Sequence, residues 1–542
     1  MINKILFAGS LSKFNSPYQN GYLTLKKLCK EIISFDIRWT TIKYGEDKMN
    51  QMLLDFVEKE KPNFIFFYAG HTELYFDTFF KIKELSPKTK LIFPLGDDDT
   101  MFENFSRFII LFMDYGFIGL PEWIPRYKEE GIYKVGNLEG INTELYKPIK
   151  IEKEYDVTFI GRALGEKSLR YEYIKYLKDN GINVNVFGFE WDKFSDFVDI
   201  YKGPLETEEM INVLNKTKIY LCLSRGSDGL THKNYKFFEG ASCKTFVLTE
   251  YCPEYYNFTK EGKEIVSFKT KEELLEKVKY YLKNKKERDK ITNAIHKKVL
   301  KDFSFSKRLK KILGKLSKIK SNGINLPKLD KKIISLEKNH LTKDLKEIEE
   351  LVKDYDYITF ISEKSKDLNL KEYMQVYSLL KSRKEISCCD YYVSKGSMKK
   401  YLRFFSRVAI KNISIEEFNS LIIPEQLMVT KKFFIKNINE LKNIFQEVTF
   451  VKENNVNFVS FPLVETNKLK TKNYDLLKKA FLFNFPYQVY SLKYQKRRIP
   501  KYLLFLFFEV LKGNWFIFKE FCNIISNKSR VKQLKIYEDL DK

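Results

Sequence analysis

Residues 156–188 read DVTFIGRALGEKSLRYEYIKYLKDNGINVNVFG, and this stretch decides the fold class. DVTFIG is a short run of β-forming residues that ends in glycine. From Glu166 to Lys178 the apolar residues recur at helical spacing, and INVNVFG is a second strand that also ends in glycine. A strand, a helix and a strand within about thirty residues make a βαβ unit, whose strands lie parallel in one sheet.

The same alternation extends in both directions. Downstream, TEEMINVLN is a helix with Thr207 as its expected cap. KIYLCLS is a strand, NYKFFEGAS a helix and TFVLT a strand, and helices through EELLEKVKYYL and KERDKITNAIHKKVL close the unit near residue 316. Upstream, KILFAG opens the chain as a strand, YLTLKKLCKEII follows with helical spacing, and FDIRWT is a second strand. MNQMLLDFVEKE is then a helix, and NFIFFYA and KLIFPLG are strands. Strands as continuously apolar as NFIFFYA fit a sheet covered on both faces. The fold class is therefore α/β: two Rossmann-like domains, residues 1–147 and 148–318, joined through GINTELYKP. Residues 319–475 follow as a mixed α/β region, with LTKDLKEIEELVKDYDYITFIS as helix and strand and IIPEQLMVTKKFFI, VTFVKEN and VNFVSFPLV as β or mixed segments. Residues 476–542 are an aromatic-rich, basic helical tail.

Composition narrows the function. The 542 residues are 44% hydrophobic and 16% aromatic, which supplies well-filled cores and excludes a disordered chain. No apolar run reaches the roughly 20 residues that span a bilayer, and MINKILFAGS lacks a signal-peptide pattern, so the expected location is the cytoplasm. The seven cysteines, Cys29, Cys222, Cys243, Cys252, Cys388, Cys389 and Cys522, are scattered without zinc spacing and are expected to be reduced thiols. The formal charge of +25 is spread along the chain, as a Lys- and Asn-rich composition produces, and no nucleic-acid motif accompanies it. Nucleic acid is therefore not an expected partner.

In an open parallel sheet, ligands bind beyond the C-terminal ends of the strands. That rule selects Gly161 and Arg162 after DVTFI, Gly188 after NVNVF, Ser224 to Lys233 after KIYLCL, and Glu250 after TFVLT. In SRGSDGLTHKNYKFFEGAS the glycines at 226 and 229 permit tight turns ahead of a helix beginning near His232, whose free amides suit a diphosphate. Lys233 and Lys236 add positive charge. Glu239 is either a ribose contact or the far end of an i,i+3 surface pair with Lys236. In the first domain the Gly9–Ser10 turn follows KILFA, and His71 follows NFIFFYA, as a structural histidine or at the mouth of the cleft. Asp97, Asp98 and Asp99 follow KLIFPLG. They are candidates to bind acceptor hydroxyls or to serve as base, with a solvated loop and an Asp-x-Asp metal site as the competing readings.

The ordered set DVTFIGR, the helix bearing Arg170, YKGPLETEEMINVLNKTKIYLCLS, NYKFFEGASCKTFVLTEYCPEYYNF and TKEGKEIVSF resembles the group 1 glycosyltransferases of GT-B fold, in particular their CgeB-like spore-maturation branch. With ILFAGSLS, KPNFIFFYAG, GDDDT and the linker GINTELYKP, the resemblance covers about residues 1–316. It implies a glycosyltransferase that takes a nucleotide sugar as substrate, needs no cofactor or metal, and retains anomeric configuration. It implies that Glu239 contacts the donor ribose, that Gly161 and Arg162 approach the diphosphate, and that amides around His232 to Asn234 hold the same phosphates. Lys236 stands where that branch commonly has arginine. The first glutamate of the family's Glu-x7-Glu motif falls on Thr231, a departure for which Asp228 is the candidate substitute. The catalytic candidates are His71, Asp97 and Asp98. The donor-binding candidates are Gly9, Ser10, Gly161, Arg162, Asp228, His232, Lys233, Asn234, Lys236 and Glu239. The resemblance also implies that Arg162, Lys236 and helix amides stabilise the leaving diphosphate.

The acceptor expected is a glycan, a lipid-linked glycan or a protein. Lys496, Arg497, Arg498 and Lys501 beside a dense apolar run with Trp515 allow peripheral contact with the inner membrane face, against packing within the last domain. The middle region faintly resembles the later part of a GT-A glycosyltransferase, although YITFIS runs into Glu363-Lys364-Ser365 where an Asp-x-Asp would stand. A non-catalytic, glycosyltransferase-like scaffold is the competing function, and Thr231 is its support.

Overall fold

The computed structural model describes residues 2–11, 17–68, 73–163, 165–223, 233–321, 323–363, 365–395, 398–404, 422–452 and 455–466. Contacts divide the chain into two compact units. One holds Met1–Lys4, Leu11–Ile32 and Asn137–Ile319. The other holds Ile5–Ser10, Ile33–Gly136 and the described residues from Lys320 onward.

The first sheet has six strands: β1 (Ile2–Gly9), β2 (Cys29–Phe35), β3 (Phe64–Tyr68), β4 (Lys90–Leu95), β5 (Tyr115–Ile118) and β6 (Val135–Asn137), in the order β2-β1-β3-β4-β5-β6. The pairs β1/β3, β3/β4 and β4/β5 are parallel. The second sheet holds β7 (Tyr155–Ile160), β8 (Val184–Phe187), β9 (Thr217–Cys222), β10 (Phe246–Glu250) and β11 (Val266–Phe268), in the order β8-β7-β9-β10-β11, all parallel. Both sheets are doubly wound and reverse direction after their first strand, at β1/β3 and at β7/β9. These are the switch points at which such sheets bind ligands.

The αβ alternation is borne out, with corrections at element ends. YLTLKKLCKEII is helical only to Leu28, and CKEIISF is β2. FDIRWT is not a strand, because Ile37–Tyr44 is a helix. The Asp36 carboxylate accepts from Trp39 N at 2.7 Å, satisfying an orphan helical amide. The helix buries Ile37, Trp39, Thr40 and Ile42. Helix Glu46–Glu60 buries Met49, Leu53, Leu54 and Val57 at helical spacing. Thr207 is the first residue of helix Thr207–Lys216 and not its cap; Glu206 caps it in a reciprocal box with Glu209.

The region from Lys320 is a mixed sheet of seven strands: β12 (Ile333–Leu336), β13 (Tyr357–Phe360), β14 (Ser365–Asp367), β15 (Ile386–Lys395), β16 (Met398–Phe404), β17 (Leu427–Thr430) and β18 (Val456–Thr466). Its order is β12-β13-β17-β15-β18-β14, with β16 paired to β15. KKFFI is helical (Lys431–Lys436, capped by Thr430), whereas VTFVKEN forms no strand among its described residues. The first and third sheets share one hydrophobic core, which runs from Leu6, Ile65 and Phe108 to Tyr377, Ile386 and Val459. Among the described residues no helix is long and apolar enough to cross a membrane. The tail from Lys496 to Trp515 lies outside the described residues.

Candidate functional site

At the second sheet's switch point, β7 ends in a loop held by close packing. Gly161 N donates to Phe187 O at 2.8 Å, and Gly161 O accepts from Trp191 Nε1 at 2.7 Å. Gly188 has φ +121°, and a Cβ there would fall 2.2 Å from Gly161 O, so only glycine fits. A Cβ on Gly161 would fall 2.6 Å from Lys236 Nζ, which places the ammonium directly against this turn.

Two cations share one ring here. Lys236 Nζ lies 5.2 Å from the Phe159 ring centroid, and the Arg170 guanidinium lies 5.8 Å from the same ring. Arg170 Nη1 donates to Arg162 O at 3.1 Å, and Arg162 Nε sits 3.4 Å from Glu190 Oε2 while its side chain is 55% exposed. Arg170 is absent from the residues chosen on sequence. Only the structure reveals it: this arginine is buried in the first turn of helix Leu169–Asp179, where it opposes the helix dipole, and an anion would relieve that conflict.

Glu239 projects from helix Lys236–Ser242 and is only 8% exposed, so it is not half of a solvated surface pair. Burial raises its carboxyl above the usual range, and Lys236 pulls it back. Beside it the Tyr220 hydroxyl is fully buried and makes no hydrogen bond. Gly240 lets the helix lie this close, because a Cβ would meet Val247 at 2.6 Å and Tyr220 at 2.8 Å.

Two other donor-side candidates are engaged internally. Lys233 Nζ lies 2.5 Å from Glu139 Oε1, and both side chains are 6% exposed. The ammonium thus ties the 233–235 turn to the start of the linker. Asn234 Oδ1 accepts from Lys236 N at 3.0 Å at the start of that helix, and the Asn234 main-chain amide donates to Tyr255 Oη at 2.8 Å. Asp228 and His232 lie outside the described residues, as does Thr231.

At the first sheet's switch point Gly9 pairs with Tyr68, and a Cβ on Gly9 would fall 2.6 Å from Tyr68 Cβ. Ser10 follows, partly buried, and His71 lies outside the described residues. Beyond β4, Asp97 is partly buried at the start of helix Asp98–Met101, whereas Asp98 is 1% exposed. Asp98 Oδ1 accepts from Tyr127 Oη at 3.0 Å, and Oδ2 is buried without a hydrogen bond. Burial lifts its pKa to about 6, against hydrogen bonds from Ser106 and Tyr127 and with help from Asp97 and Asp99. Among the described residues no group of three or more His, Cys, Asp or Glu is placed to hold a metal ion. In the third sheet, the Ser362 hydroxyl after β13 donates to the Glu425 carboxylate.

A cavity of about 810 Å³ opens elsewhere, beside Arg383, Lys384, Lys436 and Lys452. Arg383 and Lys436 stand at the C-terminal ends of helices Lys371–Ser382 and Lys431–Lys436, where cations offset the helix dipole. It is far from both switch-point loops in sequence and draws none of the residues above.

Residues 170–314 match the family model described as Glycosyl transferase-like. No curated protein matches the chain. Among solved structures, HepE of Anabaena in complex with UDP-glucose is similar at a TM-score of 0.41 and 11% identity, over 58% of this chain and 100% of that one. Sucrose-phosphate synthase of Thermosynechococcus elongatus is similar at 0.42 and 8% identity, over 58% and 99%. A Listeria monocytogenes protein named as a candidate UDP-N-acetylglucosamine 2-epimerase is similar at 0.41 and 11% identity, over 60% and 100%. The order and direction of the chain's own strands establish its doubly wound sheets.

Proposed function

We propose that this protein is a glycosyltransferase that moves a sugar from a nucleotide-sugar donor to a surface glycan or protein, with retention of configuration. One observation carries the reading. The segment that matches the glycosyl transferase-like model, residues 170–314, contains Arg170, Lys236 and Glu239, two cations and a buried carboxylate at a sheet's switch point. As the bond to the leaving diphosphate breaks, negative charge builds on its oxygens. Arg162, Arg170 and Lys236 would stabilise it, and a positioned charge acts most strongly in a site poor in water. Glu239 would accept from the ribose diol. Gly9 and Ser10 would contact the donor, the Asp97–Asp98 loop would serve the acceptor, and the nucleotide sugar is consumed as substrate without a further cofactor. Membership of the CgeB-like branch and contact of the basic tail with a membrane belong to the same proposal.

A panel of UDP-, GDP-, ADP- and CMP-sugars, read by thermal shift, tests it. A donor-specific rise in melting temperature that is lost in both Glu239→Ala and Lys236→Ala is the expected outcome. Proton NMR of the transferred sugar then reads its anomeric configuration. Thr231, in place of the family's first glutamate, favours a second reading: a scaffold that binds the nucleotide sugar without turnover. A melting-temperature rise with neither transfer nor donor hydrolysis would select the scaffold, and no rise with any donor would count against both.

A further inference from the structure

Helix Phe305–Leu316 belongs to the unit that holds the second sheet, and its two sides differ in kind. Phe305, Ser306, Leu309, Leu313 and Leu316 are buried. Lys307, Lys310, Lys311 and Lys315 are exposed, and so is Lys318 in the turn that follows. Their spacing of three and four residues sets them in one stripe along one face, about 16 Å long at the rise of an α-helix. The remaining cation, Arg308, is partly buried and donates to Glu139 O at 2.5 Å.

A lysine-rich composition does not account for the stripe. Other helices of the same unit pair their lysines at this spacing: Lys175 with Asp179 at 3.3 Å, Lys277 with Glu273 at 2.6 Å and Lys285 with Asp289 at 2.7 Å. Among the described residues none of the five stripe lysines meets a carboxylate. Helix Phe305–Leu316 contains no acid, so the like charges repel along it unrelieved. The helix dipole favours Lys315 at the C-terminal end but disfavours Lys307 in the first turn. Apolar side chains mark both ends of the stripe. Lys307 Nζ donates to Leu300 O at 3.4 Å, which places Leu300, 37% exposed, beside the first turn; Ile319, 58% exposed, directly follows Lys318. A row of ammonium groups matches a surface of lipid phosphates. The flanking aliphatic side chains match the acyl layer beneath it, whereas RNA or an acidic glycan would leave them in water.

We propose that this stripe docks on an anionic bilayer surface, with the lysines at the phosphates and Leu300 and Ile319 against the acyl chains. The surface is separate in sequence from Lys496–Lys501 and does not depend on the glycosyl-transfer reading. Sedimentation of the full chain with vesicles tests it, using phosphatidylcholine alone and phosphatidylcholine mixed in equal parts with phosphatidylglycerol. Wild type is expected to bind only the mixed vesicles and to leave them as salt rises. Lys310→Gln, Lys311→Gln and Lys315→Gln together are expected to weaken binding about a hundredfold. Removing the same charge elsewhere, at the exposed Lys338, Lys343 and Lys346, is expected to leave binding unchanged. Ile319→Ser keeps every charge and is expected to weaken binding as well; a melting temperature equal to that of wild type shows that each variant is folded. Failure of wild type to bind the mixed vesicles overturns the proposal, as does a stripe variant that binds as wild type does. Equal losses in the two triple variants overturn it too, because net charge alone would then explain the binding. An Ile319→Ser chain that binds vesicles as tightly as wild type, or retention of RNA or an acidic glycan in place of vesicles, overturns the bilayer as the occupant.

Discussion

Asp98 keeps its proton to about pH 6 because its carboxyl is enclosed, and this links it to stability. Its folded-state pKa lies above the ordinary 3.8, so the folded protein binds the extra proton. The stabilising contribution is complete below about pH 4 and is lost as pH rises through about 6. Its size is about 2–3 kcal/mol by that linkage. Chemical denaturation across this range should therefore show wild type losing stability relative to Asp98→Asn as pH rises; parallel curves would mean that Asp98 does not titrate there. Gly188 makes a second prediction at this scale. With φ +121° and Gly161 O 2.2 Å from a would-be Cβ, Gly188→Ala should cost at least ~2 kcal/mol in urea unfolding and should weaken the nucleotide response by shifting the Gly161 turn. The glycines were legible in the sequence as turn residues. Arg170 was not, since a residue's identity does not reveal that its charge is buried against one loop.

Helix Ile37–Tyr44 shows where element-level reading fails. FDIRWT has the β-forming composition of a strand, yet it is helical from Ile37, with the Asp36 side chain capping it through Trp39 N. Asp36→Ala should destabilise the protein by about 1 kcal/mol, seen as a lowered thermal midpoint with the nucleotide response intact; an unchanged midpoint would deny the cap its weight. The strands DVTFIG, NVNVF and KIYLC were legible because buried parallel strands are apolar throughout and stop at glycine or polar loops. The ends of helices were less so. YLTLKKLCKEII keeps helical spacing past Leu28, but the chain from Cys29 instead forms β2 at the edge of the first sheet.

Within the unit that holds the first and third sheets, a buried network joins them. Arg107 is fully buried and pairs with Glu130, whose Oε2 accepts from Tyr377 Oη at 3.2 Å while Lys381 Nζ donates to Glu130 O at 3.0 Å. Asn457 Nδ2 donates to Glu103 O at 3.1 Å, and Phe108 meets Tyr377 edge-on at 6.0 Å. Removing one partner of a buried ion pair strands the other, so Glu130→Ala should cost about 3–5 kcal/mol in denaturant unfolding. Because both sheets draw on one core, a chain ended after Ile319 should leave that core exposed. Hydrogen exchange in β3 and β4 should then be fast in the shortened chain and slow in the full one. Equal protection in both would show that the first sheet folds alone.

The sequence by itself determined the two doubly wound sheets, the loops at their switch points and the likeness of residues 170–314 to glycosyl transferase-like proteins. Strand periodicity, apolar content and glycine placement are local properties, written within a few tens of residues. Only the tertiary structure decided which charged groups in those loops are committed elsewhere. Lys233 is bound to Glu139, Asn234 to its own helix and to Tyr255, while Lys236, Arg170 and the buried Glu239 gather at the end of β7. It also decided that the region from Lys320 shares a core with the first sheet. Burial and charge pairing depend on residues well separated in the sequence, and no local pattern carries that information.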